Sequence, residues 1–494
     1  MQNINKRMGV GIIWMIGARL MDRSIGILST LILARLLVPG DFGLIAMATA
    51  VGAALDLLGA FSFDMALIQN SQAEPKHYNT VWTFNVIFGL ICGSAIIALA
   101  HPVAEFYRES RLVDVMYVLS ISYFVNAFSN VGVVNFRKNL QFGTEFLIIF
   151  IRRLVTFVIT MIAAFTLRSY WALLIGMTSG RVVGVILTYT MNTYRPRLTL
   201  SAAKELFHFS KWLLLNNFLV FILNDGCTFI IGRLFGATSL GIYSVANEIS
   251  SMPTTELVAP INRATFPGFS KMVDRSEMSK TYLKLLGLIS LLILPVGLGI
   301  AAVAEPLVHV ALGEKWVAAI PLIQILALYG AFVATQGNNG TVWLALGKTR
   351  ELTINMGIFI TVFFPALYYF INRFGIVGAG YAYLAAALPS LTFSLYVTRR
   401  LLAFTWKALF DAVWCPIIAA CVMYTSVVTF NDWFHAMTPI VRLFAGSLIG
   451  AVVYGTVIIL LWLSKGRPKG AEFFCLEALT GLCKTLTRKY GGAT

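Results

Sequence analysis

The chain has 494 residues, 58% of them hydrophobic and only 12% charged, and it carries a formal net charge of +16. A mean hydropathy of +0.79 excludes a soluble domain of this length and predicts a polytopic, all-α membrane protein. In such a chain the basic excess reads as cytoplasmic loops facing anionic lipid, so nucleic acid is excluded as a partner.

Lys6 and Arg7 precede an apolar run far longer than the core of a signal peptide, and no small-residue cleavage site follows, so the first segment is expected to stay as a helix. Stretches long enough to cross about 30 Å of hydrocarbon fall near 10–36, 42–67, 80–100, 112–134, 145–167, 170–192, 210–234, 238–262, 281–304, 319–341, 352–371, 374–398, 408–430 and 438–463. That pattern predicts about fourteen transmembrane helices. Gly, Ala, Ser and Thr are spread through nearly all of them, which lets helix backbones approach closely in lipid.

Basic residues concentrate in alternate loops. Lys76, Arg137, Lys138, Arg195, Arg197, Lys271, Arg275, Lys348 and Arg350 share one side with Lys6 and Arg7, against Arg108, Arg111, Arg168, Lys315 and Arg373 on the other. This asymmetry predicts both termini in the cytoplasm. The six cysteines (Cys92, Cys227, Cys415, Cys421, Cys475, Cys483) show neither paired spacing nor a metal-ligand pattern and are expected as free, buried thiols.

An internal repeat is visible. Leu33-Ala34-Arg35-Leu36-Leu37, followed by Phe42-Gly43-Leu44, returns as Ile231-Gly232-Arg233-Leu234-Phe235 and then Leu240-Gly241-Ile242, and Trp14 and Trp212 share the same offset. The offset covers an even number of spans, so the two units enter the membrane in the same direction. The organisation expected is an N-lobe of six helices over 1–192, a cytoplasmic linker over 193–209, a pseudo-symmetric C-lobe of six helices over 210–398, two further helices over 408–463, and a cytoplasmic interfacial tail over 464–494. Within the linker, Lys204, Leu206 and Phe207 form an amphipathic piece expected to lie on the inner leaflet.

The first span holds Arg19, Asp22 and Arg23. A charge at mid-bilayer costs roughly 2.5–3.5 kcal/mol on insertion scales, so three in one span call for a purpose beyond helix stability. Spaced three and four apart, they line about one face, and Asp22 neutralises one arginine to leave a net positive surface suited to an anion. The alternative is an intrahelical ion pair that only helps the helix to pack. Carrying the repeat offset forward sets Asn217 opposite Arg19, with Asn224 two turns further on and Asn216 and Asp225 beside them, so a polar cleft between the two lobes is expected. Interhelical hydrogen bonding accounts for single asparagines equally well.

Further candidates for substrate binding are Arg181 and Arg263, while Asp22, Asp64, Asp225 and Glu248 are candidates for ion coupling or charge balance, and Asp56 and Glu256 are also intramembrane acids. Arg152 and Arg153 read as positive-inside anchors near a cytoplasmic end. Pro253 and Pro260 are expected to interrupt the eighth span. The five histidines are scattered, and no catalytic constellation, metal site or cofactor motif emerges, so the chain does not read as an enzyme.

Leu33-Ala34-Arg35-Leu36-Leu37-Val38-Pro39-Gly40-Asp41-Phe42-Gly43, then Phe266-Pro267-Gly268-Phe269-Ser270-Lys271, and Leu312-Gly313-Glu314-Lys315-Trp316 with Ile320-Pro321-Leu322 occur in that order. In these stretches the chain resembles the Wzx-like polysaccharide transporters, lipid-linked oligosaccharide flippases of the multidrug/oligosaccharidyl-lipid/polysaccharide superfamily. The resemblance implies a bacterial cytoplasmic-membrane protein that moves undecaprenyl-diphosphate-linked repeat units between leaflets. It implies membrane lipids as surroundings, the polysaccharide polymerase and chain-length machinery as candidate partners, and a cationic first helix at Arg19 and Arg23. Resemblance to the lipid II flippases implies a groove for the lipid tail at the last two helices. Arginine forks suit a diphosphate by their bidentate geometry. The rival readings are a cation-coupled drug antiporter of the same superfamily, which would prefer an acidic cleft, and a non-transport protein of glycan assembly.

Overall fold

The fold is that of a computed structural model that describes residues 2–59, 67, 73–139, 141–253 and 257–466, without the side chains of 2–13, 15–16, 58–59, 204–217, 253, 259 and 337. Asp64, Glu256, the side chains of Asn216 and Asn217, and the tail beyond 466 lie outside it. Among the described residues there is no strand. Among these residues ten helices are long and apolar enough to cross a membrane, or eleven if the pair Leu112–Ala127 and Val131–Lys138, bent by 63°, makes one span. The chain is an all-helical, multi-pass membrane protein.

This count is lower than fourteen for physical reasons. The first helix, α1 (Gln2–Leu36), is diluted by Lys6, Arg7, Arg19, Asp22, Arg23 and Arg35. The two stretches read separately at 210–234 and 238–262 count once, within α8 (Ala203–Pro253), although they are two helices that meet end to end across a kink. Gly236 breaks that helix with φ 75° and ψ −176°, a left-handed conformation that glycine adopts without penalty.

The chain divides into two compact units, Met1–Ser244 and Val245–Thr494. Unit 1 is built from α1, α2 (Pro39–Gly59), α3 (Pro75–Tyr107), α4 (Leu112–Ala127), the short α5 (Val134–Lys138), α6 (Phe142–Leu167), α7 (Trp171–Thr190) and most of α8 (Ala203–Pro253). Helices α1 and α6 run parallel in a constant register. Trp14 meets Phe146 in a tilted pair, 4.9 Å between ring centroids, Asp22 meets Arg153 further along, and Leu33 and Leu37 close the pair against Met161 and Ala164.

Helices α6 and α7 pack antiparallel through a ladder of small residues. Gly176 faces Thr160, Gly180 faces Thr156 and Gly184 faces the stem of Arg152, each four residues apart on its helix. A Cβ on Gly180 would run into the Thr156 hydroxyl, so glycine sets how near the two backbones approach. Gly89 and Gly93 of α3 do the same against Ala127 and Phe124 of α4.

The stretch after α7 lies as an extended strap on the first turns of α3. The backbone N–H groups of Arg197, Thr199 and Ala202 donate to the side chains of Asn79, Thr83 and Thr80 at 2.9, 2.9 and 3.3 Å. Asn130 secures the strap by donating to the Tyr194 carbonyl at 2.7 Å. Between α3 and α4 the Arg111 guanidinium forks onto Glu109 at 2.8 and 2.9 Å and holds that carboxyl below its usual range.

The repeat leaves a structural mark. Gly43 in α2 and Gly241 in α8 occupy equivalent repeat positions, and each sits against the other's corner. A Cβ on Gly43 would fall on the Ala237 carbonyl, and one on Gly241 would fall on the carbonyl of Pro39, the repeat equivalent of Ala237. Only a local two-fold relation gives such reciprocity.

Unit 2 holds the end of α8, then α9 (Ala259–Lys271), α10 (Arg275–Ala302), the short α11 (Ala304–Leu307), α12 (Ile320–Ala345), α13 (Thr349–Phe374), α14 (Val377–Leu402), α15 (Trp406–Trp433) and α16 (Pro439–Ser464). Pro253 ends α8 and Pro260 stands in the first turn of α9, the two positions expected to interrupt that span.

A buried polar ladder ties α10, α12 and α14 together. Tyr282 donates to Asn339 at 2.5 Å, Asn339 to Ser394 at 2.6 Å, and the Trp343 indole to Thr398 at 3.0 Å. Arg442 of α16, 5% exposed, reaches Glu305 at 3.3 Å and His435 Nδ1 at 2.9 Å. A buried guanidinium needs such partners to offset its lost hydration, and these fix α16 to the short α11.

Candidate functional site

Arg19, Asp22 and Arg23 lie on one half-buried face of α1. Asp22 finds its partner on another helix: its Oδ1 lies 3.2 Å from Arg153 Nε of α6. Gly26, one turn beyond Asp22, opens the path, since a Cβ there would lie 2.6 Å from an Arg153 guanidinium nitrogen. The packed α1 and α6 pair thus carries Arg19, Arg23 and Arg153, and the Asp22 contact to Arg153 joins the two helices.

Arg152 and Arg153 stand away from the end of α6 and face neighbouring helices. Arg153 is eleven residues past Phe142, about 16 Å along the helix at 1.5 Å per residue. Being consecutive on a helix, the two point to different neighbours. Arg153 crosses to α1, while the Arg152 stem lies 3.1 Å from where a Cβ on Gly184 of α7 would stand.

Arg181 belongs to a second cluster in the same unit. Its guanidinium carbon lies 4.8 Å from the centroid of the Tyr123 ring on α4, and the Tyr123 hydroxyl donates to Asp56 Oδ2 of α2 at 3.0 Å. Gly52, one turn before Asp56, leaves room for that hydroxyl, because a Cβ there would lie 2.6 Å from it. Ser122 and Thr178 hydrogen bond at 2.9 Å beside the cluster and fix α4 to α7. Tyr123 has no signature in the sequence; a tyrosine among apolar residues is indistinguishable from core.

The other candidates scatter. Asn224 is exposed and Asp225 half-buried on α8 in unit 1, while Glu248 is half-buried and Arg263 exposed in unit 2. Among the described residues no group of three or more His, Cys, Asp and Glu is placed to hold a metal ion. Cys92, Cys227 and Cys415 are buried free thiols, whereas Cys421 is exposed, because it faces a cavity of unit 2.

That cavity holds about 350 Å³ and is walled by α10, α12, α14 and α15, with Leu294, Leu298, Phe332, Leu395, Ile417 and Cys421 among its lining. Ser290, Thr335 and Gln336 are its few polar groups. A second cavity, about 460 Å³, opens between α10, α15 and α16 beside Gly299, Met423, Gly446 and Gly450. Both are suited to a hydrocarbon chain, which gains free energy in proportion to the apolar area it removes from water.

The family described as polysaccharide biosynthesis protein matches residues 32–321. The lipopolysaccharide biosynthesis protein WzxC of Escherichia coli K12 is 23% identical over 418 residues, covering 82% of this chain and 83% of its own length. The succinoglycan biosynthesis transport protein ExoT of Rhizobium meliloti 1021 is 24% identical over 450 residues, covering 87% and 88%.

Among solved structures, the lipid II flippase MurJ in an inward closed conformation superposes with a TM-score of 0.73 at 13% identity, covering 92% of this chain and all of that one. An inward-facing multidrug resistance MATE family transporter gives 0.55 at 14% identity, with 78% and 98% covered. These two likenesses describe the fold. The chain belongs to the polysaccharide biosynthesis family, the Wzx-like flippases of the multidrug/oligosaccharidyl-lipid/polysaccharide superfamily.

Proposed function

We propose that the chain is a flippase that moves undecaprenyl-diphosphate-linked oligosaccharide repeat units across the bacterial inner membrane for exopolysaccharide, capsule or O-antigen assembly. In this reading the chain carries fourteen spans, two like-oriented repeats of six helices and two further helices, with both termini in the cytoplasm. The repeats work by alternating access, and the polysaccharide polymerase and chain-length machinery receive the product.

One observation carries the proposal: within a membrane-spanning unit, Arg19 and Arg23 share a half-buried face of α1 with Asp22, whose carboxylate meets Arg153 of α6 at 3.2 Å. Such a surface is costly to keep in lipid without an anion to receive, and guanidinium forks match phosphate oxygens two at a time. The apolar cavities of unit 2 support the lipid half of the reading, as do relatives named for lipopolysaccharide and succinoglycan biosynthesis. Asp225 and Glu248 are kept as candidates for charge balance, and Asn217, Asn224 and Arg263 as candidates for contact with the glycan.

The test is translocation of a lipid-linked oligosaccharide in proteoliposomes. The double variant Arg19→Ala/Arg23→Ala, inserted at the wild-type level, is expected to lose at least tenfold in rate, equivalent to about 1.4 kcal/mol. An unchanged rate removes these arginines from the mechanism.

A further inference from the structure

Arg181 is the one charged residue of α7. Its setting differs from that of the arginines on α1 and α6: it lies over the Tyr123 ring at 4.8 Å, and its charge acts on Asp56 without an ion pair between the two among the described contacts. The tyrosine stands between them, ring toward the guanidinium and hydroxyl toward the carboxylate at 3.0 Å. Gly52 and Asp56, one turn apart on α2, form the notch that seats the hydroxyl. The groups that face Asp56 from the helices packed around it are Tyr123 on α4, Arg181 on α7 and the Cys92 thiol on α3, which donates to the neighbouring Leu55 carbonyl at 3.6 Å.

We propose that Asp56 and Tyr123 form a proton-controlled stow for Arg181, so that binding of a prenyl-linked phosphate by this arginine is coupled to uptake of a proton at Asp56. The inference rests on the flippase reading above. With Asp56 ionised, the carboxylate attracts the guanidinium and orients the Tyr123 hydroxyl through a charge-assisted hydrogen bond. The arginine then stays over the ring, held by the π face as well as by the carboxylate.

When a proton from solvent joins the carboxylate, the negative charge disappears and the hydroxyl contact becomes an ordinary neutral one. Only the ring then retains the arginine, and a phosphate that accepts two N–H donors at once outcompetes it. Linkage makes the effect reciprocal: phosphate on Arg181 favours the protonated carboxyl by the factor with which the proton favours phosphate. Asp56 and Tyr123 act here as positioning residues; Arg181 is the group that touches the ligand.

The probe is geranylgeranyl diphosphate, titrated by calorimetry into the full chain in nanodiscs of zwitterionic lipid between pH 5 and pH 8. Buffers of different ionisation enthalpy count the protons taken up. The diphosphate itself titrates, so the informative quantity is the difference between variants at one pH. Asp56→Asn mimics the protonated carboxyl. It is expected to bind about tenfold more tightly than wild type at pH 8, where one linked proton changes affinity by up to about tenfold per pH unit, and to take up fewer protons.

Arg181→Ala should bind more weakly, and adding Asp56→Asn to it should change nothing further. Equal or weaker binding by Asp56→Asn at pH 8 overturns the proposal, as does an effect of that substitution that persists without Arg181. Should Asp56→Asn not insert, Asp56→Ser also removes the carboxylate charge and must give the same tightening. Absence of tightening is equally fatal. If wild type itself fails to bind the probe at every pH, the flippase reading falls and this inference with it, an outcome distinct from the variant results above.

Discussion

Alanine at Gly43 or Gly241 tests the repeat at its point of closest approach. Each methyl would land on a backbone carbonyl and lie 2.8 or 2.9 Å from a backbone nitrogen of the opposite corner. No flexible side chain can move aside, so the corners themselves must part. Overpacking of this kind costs about 1–3 kcal/mol, or about 5- to 150-fold in the equilibrium constant. Because one separation of the corners relieves both clashes, the second methyl enters a gap that the first has already opened. The double variant should therefore cost about as much as either single one, with a coupling energy of about 1–3 kcal/mol in the favourable direction. Gly347→Ala is the control: at φ +70° with open space around it, it costs about 1–2 kcal/mol through its own backbone and should add fully to either. Reversible unfolding of the purified chain in mixed micelles, titrated with SDS, measures the free energy of each single and double variant. Additive costs for Gly43→Ala and Gly241→Ala would refute the shared contact and the local two-fold drawn from it.

The repeat was legible because it is written in residue identity: Leu, Arg and Gly recur at one offset, and the structure brings Gly43 and Gly241 together on that offset. The helices were legible because apolar runs long enough to span lipid have few other readings. Arg19 and Arg23 stood out because charge inside such a run is expensive. What stayed hidden follows from the same physics. Asp22 was expected to serve its own helix, since spacing along one helix is visible in a sequence, whereas the partner Arg153 comes from α6 and sits 3.2 Å away only after folding. Tyr123 was silent because its role depends on two neighbours from other helices, Asp56 and Arg181. The cavity of unit 2 was invisible for another reason: leucines lining a void and leucines filling a core have the same periodicity. Composition reveals which groups a membrane span can hardly afford, and packing decides which helix compensates them.

Two further outcomes are expected. In the small-residue ladder between α6 and α7, Gly180→Leu drives a side chain into the Thr156 hydroxyl and β-carbon; it should cost about 2–3 kcal/mol in the same unfolding titration, and Thr156→Ala in the same chain should recover part of that cost. No recovery would mean that the two helices do not meet at this rung. The last outcome concerns the cross-helix pair. Arg153 and Asp22 side chains are 34% and 49% exposed, so their attraction is screened and worth about 1 kcal/mol or less in stability. Arg153→Ala should therefore leave folding nearly intact while lowering translocation of lipid-linked oligosaccharide, because Asp22 then turns its charge on Arg19 and Arg23 and weakens the surface that receives the phosphate. Asp22→Asn added to Arg153→Ala removes that competing charge, and translocation should return toward wild type even though the original ion pair is gone. A structural pair behaves oppositely: the double variant would be no more active than Arg153→Ala and less stable. The comparison of rate with unfolding free energy thus decides whether Arg153 serves the anion surface or only the packing of α1 on α6.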